Sequence, residues 1–253
     1  MSNPNSLQHI DLFSIFGIKI NNVMMQEAIE LVINSKSTRT SSGSKKAYFI
    51  NANSLNQAFD SKSLSSVLNK SDYCFADGAG VRIAAKQQGI QVKDNVNGTD
   101  MLPLLCAACC EHEQSIFLLG AEDGVAKQAS QNLTKRFPGL KIAGTHHGHI
   151  ANEDNQSLVK KINESGADIL LVAMGTPLQE SWIEENAHLL NTNIALAVGG
   201  LFDFYSGRIP RAPLFMRKLG VEWIWRLANE PVKKFKRYVI GNPLFLLRLA
   251  TYQ

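Results

Sequence analysis

Ile169-Leu-Leu-Val-Ala173, followed at once by Met-Gly-Thr-Pro-Leu-Gln-Glu180, decides the fold. Five consecutive apolar residues closed by a glycine turn read as a strand buried on both faces, since a strand with one wet face would alternate. Gly175 ends the strand, Pro177 suits the first turn of a helix, and Gln179–Leu189 continues as that helix. Working outward, the same unit recurs. Strands are expected at Phe16–Ile20, Ala47–Ile50, Tyr73–Phe75, Ile116–Leu119, Lys141–Ala143 and Ile194–Val198. Helices are expected between them at Met24–Asn34, Gly80–Gln88, Asp100–Glu111, Val125–Phe137 and Asn155–Glu164. Strand-helix alternation predicts an α/β class, a Rossmann-like, mostly parallel sheet with helices on both faces. Ligands of such sheets bind at the carboxyl ends of the strands, in the loops that lead into helices.

Those loops carry the polar residues of interest. Asn51-Ala-Asn53 follows a strand directly; its amides suit a sugar hydroxyl or a nucleobase edge, but Asn51 taken alone is better read as a helix N-cap. Ala76-Asp-Gly-Ala-Gly80 places Asp77 at a strand's carboxyl end before a glycine-rich turn. Spacing leaves two readings of Asp77 evenly open, a general base or a cap on the next helix. In Asp94-Asn-Val-Asn-Gly-Thr-Asp100, either Thr99 or Asp100 caps the following helix, or the loop grips a sugar opposite Asp77 through Asn95, Gly98 and Asp100. Leu119-Gly-Ala-Glu-Asp-Gly124 has the shape of a phosphate turn, but Glu122 and Asp123 would repel the anion, so a structural turn is expected. Gly175, Gln179 and Glu180 are expected at the ligand edge. Gly199 and Gly200, in Val198-Gly-Gly-Leu-Phe-Asp203, mark close backbone approach, with Asp203 beside them.

The alternation stops near Tyr205, which divides the chain into a core, 1–205, and an appendage, 206–253. From Asp203 onward there are ten Lys/Arg and three acids, against sixteen and nineteen in the rest of the 253 residues. A basic, aromatic tail on a faintly acidic body points to a polyanionic surface, membrane or nucleic acid. The run Tyr238–Tyr252 is too short to span a bilayer and contains Pro243 and Arg248, so it is expected to lie on the membrane. Met1–His9 lacks the features of a signal peptide, no window reaches about 18 apolar residues, and the four cysteines read as reduced buried thiols. A cytoplasmic protein, peripheral on the inner face of the membrane, is expected. The Ser-rich stretch Ser35–Ser44 reads as a loop. His146, His147 and His149 lie in one loop with no carboxylate at ligand spacing, and no Asp-x-Asp occurs, so no metal and no cofactor is expected.

In their order, these loops resemble those of the WecG/TagA/CpsF family of bacterial glycosyltransferases, N-acetylmannosaminyltransferase-type enzymes of surface-polysaccharide synthesis. The resembling stretches are Asn51-Ala52, Ala76–Gly80, Val96–Asp100, Phe137-Pro-Gly-Leu-Lys-Ile-Ala-Gly144, Gly175–Glu180, Val198–Asp203, Arg211-Ala-Pro213 and Leu219–Leu227 with Pro231. The resemblance implies a UDP-sugar donor, inversion at the anomeric carbon and a polyprenyl-diphosphate-linked acceptor. It implies that Asp77 is the general base, that Asn51 and Gln179 line the pocket, and that Arg226, Lys233 and Lys236 help close the site at the membrane. Arg211 and Arg237 are grouped with the same acceptor and membrane face. Asn95 stands where many members carry Arg, and Asn53 where many carry Glu. N-acetylmannosamine, its uronate, glucose and galactose therefore all stay open as the sugar, and a homo-oligomer stays open too. Two other classes remain as alternatives. A NAD-dependent Rossmann oxidoreductase or epimerase lacks its GxGxxG and Tyr-x-x-x-Lys here. A nucleic-acid module using the basic tail lacks a basic body.

Overall fold

In the computed structural model the described residues are 10–35, 43–150 and 154–252. The N-terminal Met1–His9 reading and most of the Ser-rich loop lie outside them. An antiparallel hairpin opens the fold, β1 (Leu12–Ile15) and β2 (Ile18–Asn21). Phe16 and Gly17, at φ 51° and 75°, form its two-residue turn. Positive φ at both central positions is the turn whose twist matches the flanking strands. The expected strand Phe16–Ile20 is thus corrected: its first two residues are the turn, and the strand before it was missed.

The rest alternates. α1 (Met25–Ile33) leads to β3 (Lys45–Ile50), then α2 (Ala52–Asp60), α3 (Lys62–Asn69) and β4 (Tyr73–Ala76). α4 (Ala79–Gln87) and α5 (Gly98–Glu111) precede β5 (Ser115–Gly120), α6 (Val125–Arg136), β6 (Lys141–His146) and α7 (Asn155–Glu164). β7 (Ile169–Ala173), α8 (Leu178–Asn186) and β8 (Ile194–Ala197) complete the sheet, and α9 (Leu201–Tyr205) follows. The strand order is β1-β2-β4-β3-β8-β7-β5-β6, with only β1–β2 antiparallel.

Period-two alternation divides the strand side chains between two cores. Tyr48, Ile50, Phe117, Leu119, Leu170 and Val172 pack on one face; Ala47, Ile116, Leu118, Ile169, Leu171 and Leu196 pack on the other. Both faces are covered, which is why the strands read as apolar runs and not as alternating ones.

The appendage is a chain of short helices: α10 (Leu214–Lys218), α11 (Glu222–Asn229), α12 (Pro231–Phe235), a π-helical turn at Lys236–Ile240, and α13 (Gly241–Thr251). Its last helix is part of the core packing. Phe245 is 1 % exposed, and its ring meets Phe16 edge-on at 5.8 Å. Arg248 donates to the Asn56 carbonyl at 2.8 Å, pairs with Asp60 and lies over the Phe59 ring at 4.6 Å. The expectation that Tyr238–Tyr252 lies on a membrane is therefore corrected for Phe245, which packs against the hairpin turn and α4, and for Arg248, which binds α2. Exposed apolar residues lie on α13 at Leu246 and Leu247, and on the π-turn and the preceding helices at Leu214, Phe215, Leu219, Val232, Phe235 and Ile240. Among the described residues, no helix is long and apolar enough to cross a membrane.

Candidate active site

Asp77 follows the last residue of β4, and its N–H continues the parallel ladder by donating to the Ile50 carbonyl at 2.8 Å. This puts its carboxylate at the carboxyl edge of the sheet, between the ends of β3 and β4. The cap of α4 is Gly78, at φ 90°, with no side-chain cap bond. Asp77 lies one residue before that cap and does not bond the helix start: its carboxylate accepts only from Asn51 Nδ2, at 3.1 Å, among the described residues. Burial pushes its pKa above the ordinary carboxylate value. The Asn51 bond and the charges of Arg226 and Arg237 oppose the rise, and Glu222 adds to it. A carboxylate made more basic by desolvation and kept out of the local backbone bonds has the properties of a general base.

Asn51 serves two roles with one amide. Its Oδ1 accepts from the N–H groups of Asn53 and Ser54, at 3.1 and 3.2 Å, and the Ser54 hydroxyl accepts from the Asn51 N–H at 2.9 Å, a complete capping box on α2. With the oxygen so engaged, the Nδ2 end is fixed toward Asp77. Asn95 reaches the same turn from the other side: its Oδ1 accepts the Gly78 N–H at 2.6 Å. Gly98 lies against the Phe49 ring, where an added Cβ would sit 3.5 Å from it. The cap of α5 is Asn97, whose Oδ1 accepts from the Asp100 N–H at 2.8 Å, so neither Thr99 nor Asp100 is the cap.

Asp100 serves the appendage. Asn97 Nδ2 donates to it at 2.7 Å, Arg211 at 2.5 Å, and Arg217 lies 3.7 Å away. Burial works to raise its pKa, but these bonds and charges outweigh it and hold the carboxyl below the usual value. Gln179 and Glu180 are both buried, at 4 % and 2 % exposed. Gln179 Oε1 accepts the N–H groups of Gly175 and Gly199, at 3.2 and 2.8 Å, tying the ends of β7 and β8 together. Glu180 Oε1 accepts from Gln179 Nε2 and the Thr176 hydroxyl, both at 2.9 Å. Glu180, expected at the ligand edge, is buried against Thr176 and Gln179 where the chain leaves β7, and the Gly175 and Gly199 amides that a phosphate could have used are occupied by Gln179. Burial raises the Glu180 pKa. Gly200 caps α9 and lies next to Asp203, which sits 3.6 Å from Arg208 and has its pKa raised, chiefly by burial.

The appendage cations divide into two sets. Arg226 bonds Glu222 at 3.1 Å and stacks over Phe204 at 4.7 Å, facing inward. Arg237 is likewise half-buried over Tyr238, with an Nε that has no partner. Lys233 and Lys236 are exposed, and the Lys233 charge acts on Asp203. His149 pairs with Glu122 at 3.1 Å and His146 bonds the His147 carbonyl at 2.8 Å; among the described residues, no group of three or more His, Cys, Asp or Glu is placed to hold a metal ion. Sequence reasoning gave no site role to Asn97, Thr176 or Arg217. Only Asn97 left a trace, an Asn three residues ahead of Asp100 at a helix start.

A half-buried carboxylate at the carboxyl edge of a parallel sheet, with the charges of Arg226 and Arg237 acting on it, lies where α/β enzymes bind their ligands. The model of the WecG/TagA/CpsF family of glycosyl transferases matches residues 13–253, and the chain belongs to that family. Among its relatives is a protein of Staphylococcus aureus strain MW2 named N-acetylglucosaminyldiphosphoundecaprenol N-acetyl-beta-D-mannosaminyltransferase. It is 30 % identical over 242 residues, covering 93 % of this chain and 91 % of the relative. The protein of the same name from strain NCTC 8325 / PS 47 matches at the same identity and coverage. Membership disfavours both the oxidoreductase and the nucleic-acid alternatives.

Proposed function

We propose that this chain transfers an N-acetylmannosamine-type sugar from a UDP-sugar to a polyprenyl-diphosphate-linked acceptor, with inversion, in the synthesis of a cell-surface polysaccharide. The observation that carries this reading is Asp77: a desolvated carboxylate at the sheet's ligand edge, excused from capping and held by one amide. Asp77 takes the proton of the acceptor hydroxyl as the oxygen forms its bond to the anomeric carbon. The bond from that carbon to the diphosphate breaks on the opposite face, and UDP leaves with the electron pair. A single in-line displacement inverts the centre. The glycine amides at 175 and 199 are occupied by Gln179, so the growing charge on the diphosphate falls to Arg226 and Arg237, cations whose charges act on Asp77.

The acceptor's lipid is met by the outward face of the appendage, where exposed Phe215, Leu219 and Phe235 lie in a segment that also carries exposed Lys233 and Lys236. Apolar side chains entering the headgroup region beside basic groups favour an anionic leaflet. The test is a panel of UDP-sugars offered with a lipid-diphosphate-linked N-acetylglucosamine acceptor, read as UDP release and as the stereochemistry of the product. Release from no UDP-sugar, or a product that retains the donor's configuration, would defeat the proposal.

A further inference from the structure

Asp is among the best helix caps, and the N–H groups at the start of α4 lack intrahelical partners. A carboxylate beside such a helix start usually bends onto it, because a short side chain bonds backbone N–H groups one or two residues on. Asp77 does not: α4 has no side-chain cap, and the Gly78 N–H is taken by Asn95 Oδ1 at 2.6 Å. Asn95 is itself braced. Its N–H donates to Asp94 Oδ1 at 2.7 Å, and Asp94 Oδ2 accepts the Met25 N–H at 3.0 Å, which ties the loop to the start of α1, outside the site.

We propose that Asn95 is a positioning residue: by occupying the Gly78 amide from a braced loop, it keeps the Asp77 carboxylate off the start of α4 and free for the acceptor hydroxyl. The inference rests on the reading of Asp77 as the base. It assigns Asn95 to the alignment and basicity of Asp77 and not to a direct contact with the sugar. A carboxylate that gathers backbone N–H bonds becomes a much weaker base, because those bonds favour its charged form. The other charged groups that face Asp77 are Arg226 and Glu222 of α11 and Arg237 of the π-turn. None of them is altered by a change at position 95.

The test compares Asn95→Ala, Asn95→Asp and Asp77→Asn in the full chain, with UDP-N-acetylmannosamine and the lipid-linked acceptor, measuring kcat, donor KM and the acid limb of kcat/KM. Asn95→Ala releases the Gly78 amide. It is expected to lower kcat by about tenfold to a hundredfold, with donor KM nearly unchanged, and to move the acid limb to lower pH. Asn95→Asp keeps an acceptor oxygen for Gly78 and adds a like charge near Asp77. It is expected to recover most of kcat and to move the limb to higher pH. Opposite movements in two variants at one position are not produced by a loss of packing. If Asn95→Ala is too unstable to assay, the upward movement in Asn95→Asp carries the test. A rise in donor KM with the limb unmoved, or a wild-type limb in both variants, would overturn the proposal while leaving Asp77 as base. Normal turnover by Asp77→Asn would instead remove the base reading, and this inference with it.

Discussion

Replacing Phe245 by Ala separates two views of the chain's end, a membrane-lying tail and a core helix. The side chain is 1 % exposed; its ring meets Phe16 at 5.8 Å, and its Cε1 would sit 3.4 Å from a Cβ placed on Gly80 of α4. Truncating a buried Phe to Ala costs about 3–5 kcal/mol, the transfer term plus the cavity. For a chain of this size each kcal/mol lowers Tm by about 2–4 °C, so the expected fall is about 6–20 °C. Such a loss is a large part of a typical stability of about 5–15 kcal/mol. Differential scanning fluorimetry without lipid, supported by urea unfolding, reads it directly. For the same reason, deleting 206–253 removes core side chains, among them Ala212, Tyr238 and Phe245, and is expected to leave an unstable remnant. A Tm within a degree or two of wild type for Phe245→Ala would show that α13 is not held against the core, and the reasoning would fail.

Asp77→Asn is expected to lower transfer by about 10²–10⁴ while leaving the fold intact. It should also raise stability at neutral pH. The folded pKa of Asp77 lies above its unfolded value, so this group's favourable contribution is present below the unfolded pKa and is lost as pH rises through the folded one. The Tm gain over wild type should therefore shrink as pH falls; a gain that is constant with pH would contradict this. Transfer is expected to survive EDTA, and strict dependence on added Mg²⁺ or Mn²⁺ would count against charge neutralisation by Arg226 and Arg237. Replacing exposed Phe215 and Phe235 together by Glu should abolish flotation with anionic vesicles and leave Tm nearly unchanged, whereas undiminished flotation would place the membrane contact elsewhere.

The parallel sheet was legible because both of its faces are buried: Ile169–Ala173 needed no alternation to be read. Elements that break that rule were missed. α2 and α3 are half polar, held by the caps Asn51 and Ser61 and by the core under Leu55 and Leu68, so they leave little periodic signal. The Phe16-Gly17 turn hid within an apolar run, because only Gly17 has the residue type that such a turn favours. At the site, Asp77 and Asn51 could be placed by their position after strands. What spacing could not show was which way a side chain turns. Glu180 bonds Gln179 and Thr176 within its own loop and helix start, and Asp100 meets Arg211 and Arg217, more than a hundred residues away. Likewise, the apolar face of α13 carries no mark in the sequence that distinguishes protein from lipid as its partner.

The amide of Asn51 divides its labour atom by atom, with oxygen assigned to the start of α2 and nitrogen to Asp77. None of the other usual cap residues keeps the nitrogen's bond to Asp77. Asp at this position would retain the cap and set a second carboxylate against the first; Ser would retain a weaker cap and surrender the amide; Ala would give up both, with loss of the cap alone costing about 1 kcal/mol. The hold on Asp77 is therefore the more fragile of the two functions: a change at this position can spare the helix start and still release the carboxylate.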